Sequence, residues 1–151
     1  MVIYSNLIDY YIRYGWLITN CMELRRSRGL TDAVKDVNKM KDFISEIIQM
    51  DLPEVTIEDI EPGGLATISN EENKTVYKLR IQKDFYESAE SNQVFEVLAH
   101  EIRHLWQYEQ KWDMSSPESM NDYALSKAEV DAEAFSALMA LLFYGAASIQ
   151  Y

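Results

Sequence analysis

Histidine is scarce in this chain of 151 residues: there are two. Cysteine is scarcer still, with Cys21 alone, so an internal disulfide is excluded and with it the small oxidised scaffold. Three prolines and five glycines leave few forced breaks in a helix. Basic side chains are outnumbered, 14 against 25 acidic ones, giving a formal charge of −11 and a pI near 4.6. That balance opposes docking on phosphate backbones or anionic lipid, so neither nucleic acid nor a membrane is expected as partner. A membrane-length apolar run is also missing, since the stretch Ala134 to Tyr151 is interrupted by Ser136, Gly145, Ser148 and Gln150. The apolar opening lacks a basic start and carries Asp9 and Arg13, so it reads as mature chain, and a cytoplasmic location is the expectation.

What is present is apolar residue in quantity, 48% against 26% charged, enough for one domain with a real core over residues 1–151. Apolar residues at spacings of three and four predict a first helix from Val2 to about Leu24, ending near Arg28-Gly29. Thr31 is placed to cap a second helix to about Met50, with Val34, Val37, Met40, Ile44, Ile47 and Ile48 as its buried stripe. Residues 1–50 are thus helical. Over 54–82, EVTIEDI, the Pro62-Gly63-Gly64 turn, LATIS, NEENK and TVYKLRIQ predict a three-stranded antiparallel meander. Ser91 or Asn92 then caps a third helix from about Gln93 to Lys111. Ser115-Ser116-Pro117-Glu118 breaks it, and a fourth helix runs from near Asn121 to Tyr144, before Gly145. The expected class is α+β, with about four main helices and a small sheet. No internal repeat or linker divides it.

Both histidines lie in the third predicted helix, in His100-Glu101-Ile102-Arg103-His104. At 3.6 residues per turn, positions four apart stack on one face, so both imidazoles can bind one ion. Neutral imidazole nitrogens suit Zn²⁺, and Glu101, one step round, can approach a bound water without being a ligand. Two histidines four apart also arise by coincidence, so the motif needs context: an amphipathic helix and a third ligand downstream. Val94, Val97, Leu98, Leu105 and Trp106 supply the first. For the second, the fourth helix opens with Glu129, Asp131 and Glu133, three candidate carboxylates. Glu129, Ala132, Glu133 and Ser136 share one face, and Asp131 points away from it.

The segments VLAHEIRHLWQ (Val97 to Gln107) and EVDAEAFSALMALL (Glu129 to Leu142) resemble the gluzincin metallopeptidases, nearest the compact ImmA/IrrE-like family. There HExxH is followed by a helix carrying a glutamate as third zinc ligand. The resemblance implies a minimal zincin-like domain in which 92–145 forms the metal-site helices. It implies His100, His104 and Glu129 as zinc ligands and Glu101 as catalytic base. Glu133 falls where such proteins commonly carry the Asn or Asp that supports a ligand histidine, and Phe143-Tyr144-Gly145 replaces a proline that follows the leucines in ImmA-like chains. It also implies an edge strand beside the cleft that pairs with an extended peptide, here Thr75 to Gln82 or a neighbour.

The function so implied is zinc-dependent hydrolysis of a peptide bond in a protein or peptide. The ion brings the pKa of a bound water towards about 7, and Glu101 takes its proton and returns it to the departing amine. Tyr108, Tyr123, Tyr144 and Arg103 are candidate donors to the tetrahedral oxyanion, with Arg103 also suited to a salt bridge. The alternative is a zinc-stabilised interaction module that keeps the peptidase fold without turnover. A more distant alternative, an acidic mimic of DNA, rests on the net charge alone.

Overall fold

The computed structural model describes residues 12–31, 35–113 and 126–145. In chain order its elements are α1 (Gly15–Ser27), α2 (Val37–Ile48), β1 (Val55–Glu58), β2 (Gly64–Glu71), β3 (Lys74–Gln82), α3 (Lys83–Ser88), α4 (Ser91–Glu109) and α5 (Lys127–Tyr144). The α+β class expected from the sequence is the class observed. The expected helix over residues 2–11, the break at Ser115–Glu118 and the start near Asn121 lie outside the described residues.

Most helix boundaries have a local cause. α1 closes with Gly29 at φ +74°, its N–H donating to the Arg26 carbonyl at 3.0 Å, while Leu30 N–H reaches back to Arg25 O at 2.8 Å. These two hydrogen bonds satisfy two terminal carbonyls, and Leu30 is fully buried in the core. α2 is capped by Asp36, whose Oδ1 accepts from Asn38 N–H at 3.0 Å and Lys39 N–H at 3.1 Å, and not by Thr31 as expected. A carboxylate accepts both free donors and opposes the positive end of the helix, an advantage a hydroxyl lacks. In α4 the Gln93 side chain accepts from Glu90 N–H at 2.9 Å, so the helix starts slightly before the expected Gln93. Ser126 Oγ accepts from Glu129 N–H at 3.2 Å to start α5, and Gly145 at φ +75° stops it, as expected. The short α3 was not expected; Gln82 caps it through a 2.9 Å bond from Phe85 N–H.

The sheet departs from the expected antiparallel meander. Its order is β1-β3-β2, with β2 antiparallel to β3 but β1 parallel to it, Val55 beside Leu79 and Ile57 beside Ile81. The reason is burial. β3 carries Leu79 and Ile81, each 1% exposed, and takes the centre, where both of its edges are paired. The four-residue β1 and the polar β2 fall to the edges. The five residues 59–63 cross the two strand spacings, about 10 Å, that this order demands.

α4 is the spine of the fold, packing on α5, α2 and the inner face of the sheet. Its Val94, Phe95, Leu98, Ile102 and Leu105 are at most 1% exposed. Phe95 lies with its ring 6.3 Å from those of Phe43 in α2 and Phe143 in α5, and 5.0 Å from Tyr144. Phe43 and Phe143 meet edge to face at 4.7 Å. Such pairs add to the burial of aromatic area and pin α4 at a fixed depth between α2 and α5. Among the described residues no helix is long and apolar enough to cross a membrane.

Replacing Phe95 by Ala is expected to cost about 3–5 kcal/mol, measured by urea denaturation of the purified chain. A loss below about 1 kcal/mol would show that this ring is not at the core's centre.

Candidate metal centre

The periodicity of α4 delivers what the spacing demands. His100 and His104 stack one turn apart, ring centroids 4.8 Å apart and planes at 80°, with their Nε2 atoms 3.1 Å from each other. The carboxylate of Glu129 arrives from the first turn of α5. Its Oε2 is 2.9 Å from His104 Nε2, and its Oε1 is 3.4 Å from His100 Nε2. One ligand atom from each of the three falls within 4.8 Å of the others. The Ser126 cap fixes the start of α5 three residues before Glu129, and a negative charge in a first helical turn is favoured by the helix dipole. Of the three candidate carboxylates, Glu129 is therefore the one aimed between the two rings.

The outer ring nitrogens face oxygen. His100 Nδ1 lies 3.2 Å from Glu133 Oε1, and His104 Nδ1 lies 2.8 Å from Gln107 Oε1. The glutamate at 133, one turn beyond Glu129, thus reaches the outer nitrogen of this imidazole. Gln107 in turn donates through Nε2 to Ala128 O and Asp131 Oδ2, both at 2.8 Å. Asp131 holds the Arg103 guanidinium, Nε to Oδ2 at 2.8 Å and Nη2 to Oδ1 at 3.3 Å. Arg103 is fully buried, with Trp106 and Phe135 against its guanidinium plane at 3.7 and 4.9 Å. Removing either member of this buried pair is expected to cost about 3–5 kcal/mol, since the other charge loses its counter-ion.

Three carboxylates surround the rings and set the electrostatics. Burial pushes the pKa of His100 down, but the hydrogen bonds its ring donates to Glu129 and Glu133 and the charge of Glu101 outweigh it and raise the pKa to about 10. His104 is raised in the same way, its burial overcome by Glu129. Glu101 is pushed above the usual carboxylate range by burial, against the opposing pull of both histidines and of the Ala66 N–H. The cluster therefore calls for positive charge at its centre, which protons or a metal ion can supply.

β2 closes the other side. Ala66 N–H donates to Glu101 Oε2 at 3.2 Å, so an edge strand holds this carboxylate directly. A Cβ on Gly64 would stand 2.8 Å from Val97 Cγ1 and 3.2 Å from Glu101 Cγ, so only glycine lets β2 approach α4 this closely. The strand beside the site is accordingly β2. The segment Thr75 to Gln82 lies in β3, the central strand, whose two edges are already paired. A cavity of about 430 Å³ opens next to Glu101, with Gly64, Phe85, Val97, His100 and Glu133 on its walls.

Of the candidate oxyanion donors, Arg103 is committed to Asp131. Tyr108 sits at the surface with its ring against Tyr77, and Tyr144 packs on Phe95 and under Arg25 at the far end of α5. Tyr123 lies outside the described residues. Sequence reasoning missed Gln107, Gly64 and Ala66. Gln107 alone had a local signal, a polar residue one turn beyond His104 on the same face.

Residues 19–143 match the model of a family described as "Putative metallopeptidase family (DUF6782)". The match spans most of the chain, which belongs to that family. No curated protein and no solved structure matches it.

Two outcomes follow from this geometry. Because His100 holds its proton up to a pKa of about 10, a metal ion entering at neutral pH must displace it, so uptake releases protons and affinity rises with pH. Titration calorimetry in buffers of different ionisation enthalpy reads this directly; uptake without proton release would contradict it. Gly64→Val should force β2 away from α4 and break the Ala66–Glu101 bond, seen as faster hydrogen exchange at Ala66, and unchanged exchange there would contradict the close approach.

Proposed function

We propose that this member of a metallopeptidase family is a zinc-dependent peptidase of the gluzincin type, with His100, His104 and Glu129 as zinc ligands and Glu101 as general base. The observation that carries the reading is the convergence of two imidazole Nε2 atoms and one buried carboxylate at 2.9–3.4 Å from one another. Ligands about 2.0–2.1 Å from a tetrahedral ion stand roughly 3.3 Å apart, so the cluster already has the span of half-formed zinc coordination. Two nitrogens and one carboxylate oxygen are also the donor set that suits zinc and leaves a fourth position open.

Zinc, when bound, supplies Lewis-acid polarisation of a carbonyl and lowers the pKa of water. The chain's own residues do the rest. Glu101 has one oxygen tied to the Ala66 N–H, which leaves the other to take a proton from the attacking water and hand it to the leaving amine. Its raised pKa, caused by burial, brings it nearer neutrality, where a base can both accept and return a proton. Glu133 accepts from His100 Nδ1 and keeps that ring's Nε2 turned inwards. The substrate is an extended segment of a protein or peptide. It pairs with the open edge of β2 and sets a side chain into the adjoining cavity.

Purified protein is expected to hold about one zinc per chain, lost in His100→Ala. Glu101→Gln should retain the zinc while peptide hydrolysis falls by about 10²–10⁴-fold. Metal content by emission spectroscopy and turnover of an extended-peptide library check both. Full turnover by Glu101→Gln would remove the mechanism; a wild-type chain that binds zinc and a partner tightly but cleaves nothing would favour the interaction module.

A further inference from the structure

Glu133 serves one of the two rings; the other has a support of a different kind. His104 Nδ1 meets Gln107 Oε1 at 2.8 Å. An amide can present either its oxygen or its nitrogen, and which one faces the ring decides which ring nitrogen carries hydrogen. Here the choice is forced from behind. The Gln107 nitrogen has two oxygen acceptors at 2.8 Å, the Ala128 carbonyl and Asp131 Oδ2. Reversing the amide would set its oxygen against both and its N–H₂ against the ring. Asp131 cannot turn away, because Arg103 holds both of its oxygens in a buried pair. Gln107 itself is fully buried, so no water stands ready to replace these bonds.

We propose that Gln107 is the positioning residue for His104: with its amide locked by Asp131 and Ala128, it keeps hydrogen on Nδ1 and turns Nε2 to the metal. The chain Arg103–Asp131–Gln107–His104 links α4 to the first turns of α5, the turns that carry Glu129. One network therefore fixes the rotation of a ligand on one helix and the approach of the helix that brings another. An imidazole ligand whose second nitrogen is so held loses less freedom on binding, and removing such a support typically costs a metal site about 10–100-fold in affinity.

This inference rests on the zinc reading above, and two measurements separate their failures. In protein labelled with ¹⁵N-histidine, a slowly exchanging His104 Nδ1–H resonance is expected in the metal-free and the zinc-loaded chain alike, and its loss in Gln107→Leu. Competition with a chromophoric chelator should show zinc affinity reduced about 10–100-fold in the same variant. A purely structural role would lower thermal stability without touching either readout. Gln107→Met, which keeps the length of the side chain but has no amide, should lose the resonance and the affinity in the same way, so that lost packing volume is not the cause. A wild-type chain that shows the resonance but takes up no zinc would sink the zinc reading and leave the hydrogen bond standing. A Gln107→Leu variant with the resonance and affinity intact would overturn the positioning role.

Discussion

A carboxylate taken out of water must find positive charge or hydrogen bonds, and Glu129 is such a group, its side chain only 9% exposed between two imidazoles. The rest of the site is arranged around that constraint. α4 stacks His100 over His104, α5 brings the acid at its first turn, and the Phe43–Phe95–Phe143 cluster holds the two helices against α2 at one depth. Had α5 begun a residue later or rotated by a third of a turn, Glu129 would face the core without a counter-charge. The helix start therefore decides where Glu129 stands, and Ser126 caps it.

Around this centre the chain spends several buried polar groups on orientation. Arg103, Gln107 and Asp131 lie in the interior where apolar side chains would pack with less desolvation cost. They bond to one another, and Gln107 passes the constraint on to the His104 ring. On the opposite side β2 comes so close that a glycine is required, and its backbone N–H holds Glu101. A carboxylate held by a backbone N–H takes its place from the register of the strand beside it. The two supports are of different kinds, and together they leave the cavity side of the cluster open.

Much of this was legible from residues alone, for identifiable reasons. The helical stripe of α2 and the stacking of His100 on His104 are consequences of one period, and a period is a local property. Gly145 as a stop and the α+β class are local in the same sense. Glu129 stood among three acids until the likeness to known zinc peptidases singled it out; in the structure its carboxylate lies 2.9 and 3.4 Å from the two rings. The order of the sheet was not legible, because β1 and β2 read as neighbours along the chain while burial of Leu79 and Ile81 places β3 between them. Thr31 lost to Asp36 as a cap because both are plausible caps by type and the position of the first buried residue decides. Asp131 does point away from the ligands, as the helical period requires, but its meeting with Arg103 and Gln107 depends on how two helices are rotated against each other. No spacing within one helix encodes that.

The proposed function requires a single ion held by two rings and one acid. X-ray absorption at the zinc edge of the zinc-loaded protein tests it most directly, since it reports the nature and distance of the atoms around the metal. The account predicts two imidazole nitrogens and oxygen donors at about 2.0–2.2 Å, with one oxygen contribution lost in Glu129→Ala. A shell containing the Cys21 sulfur, or one unchanged by removing Glu129, would contradict it.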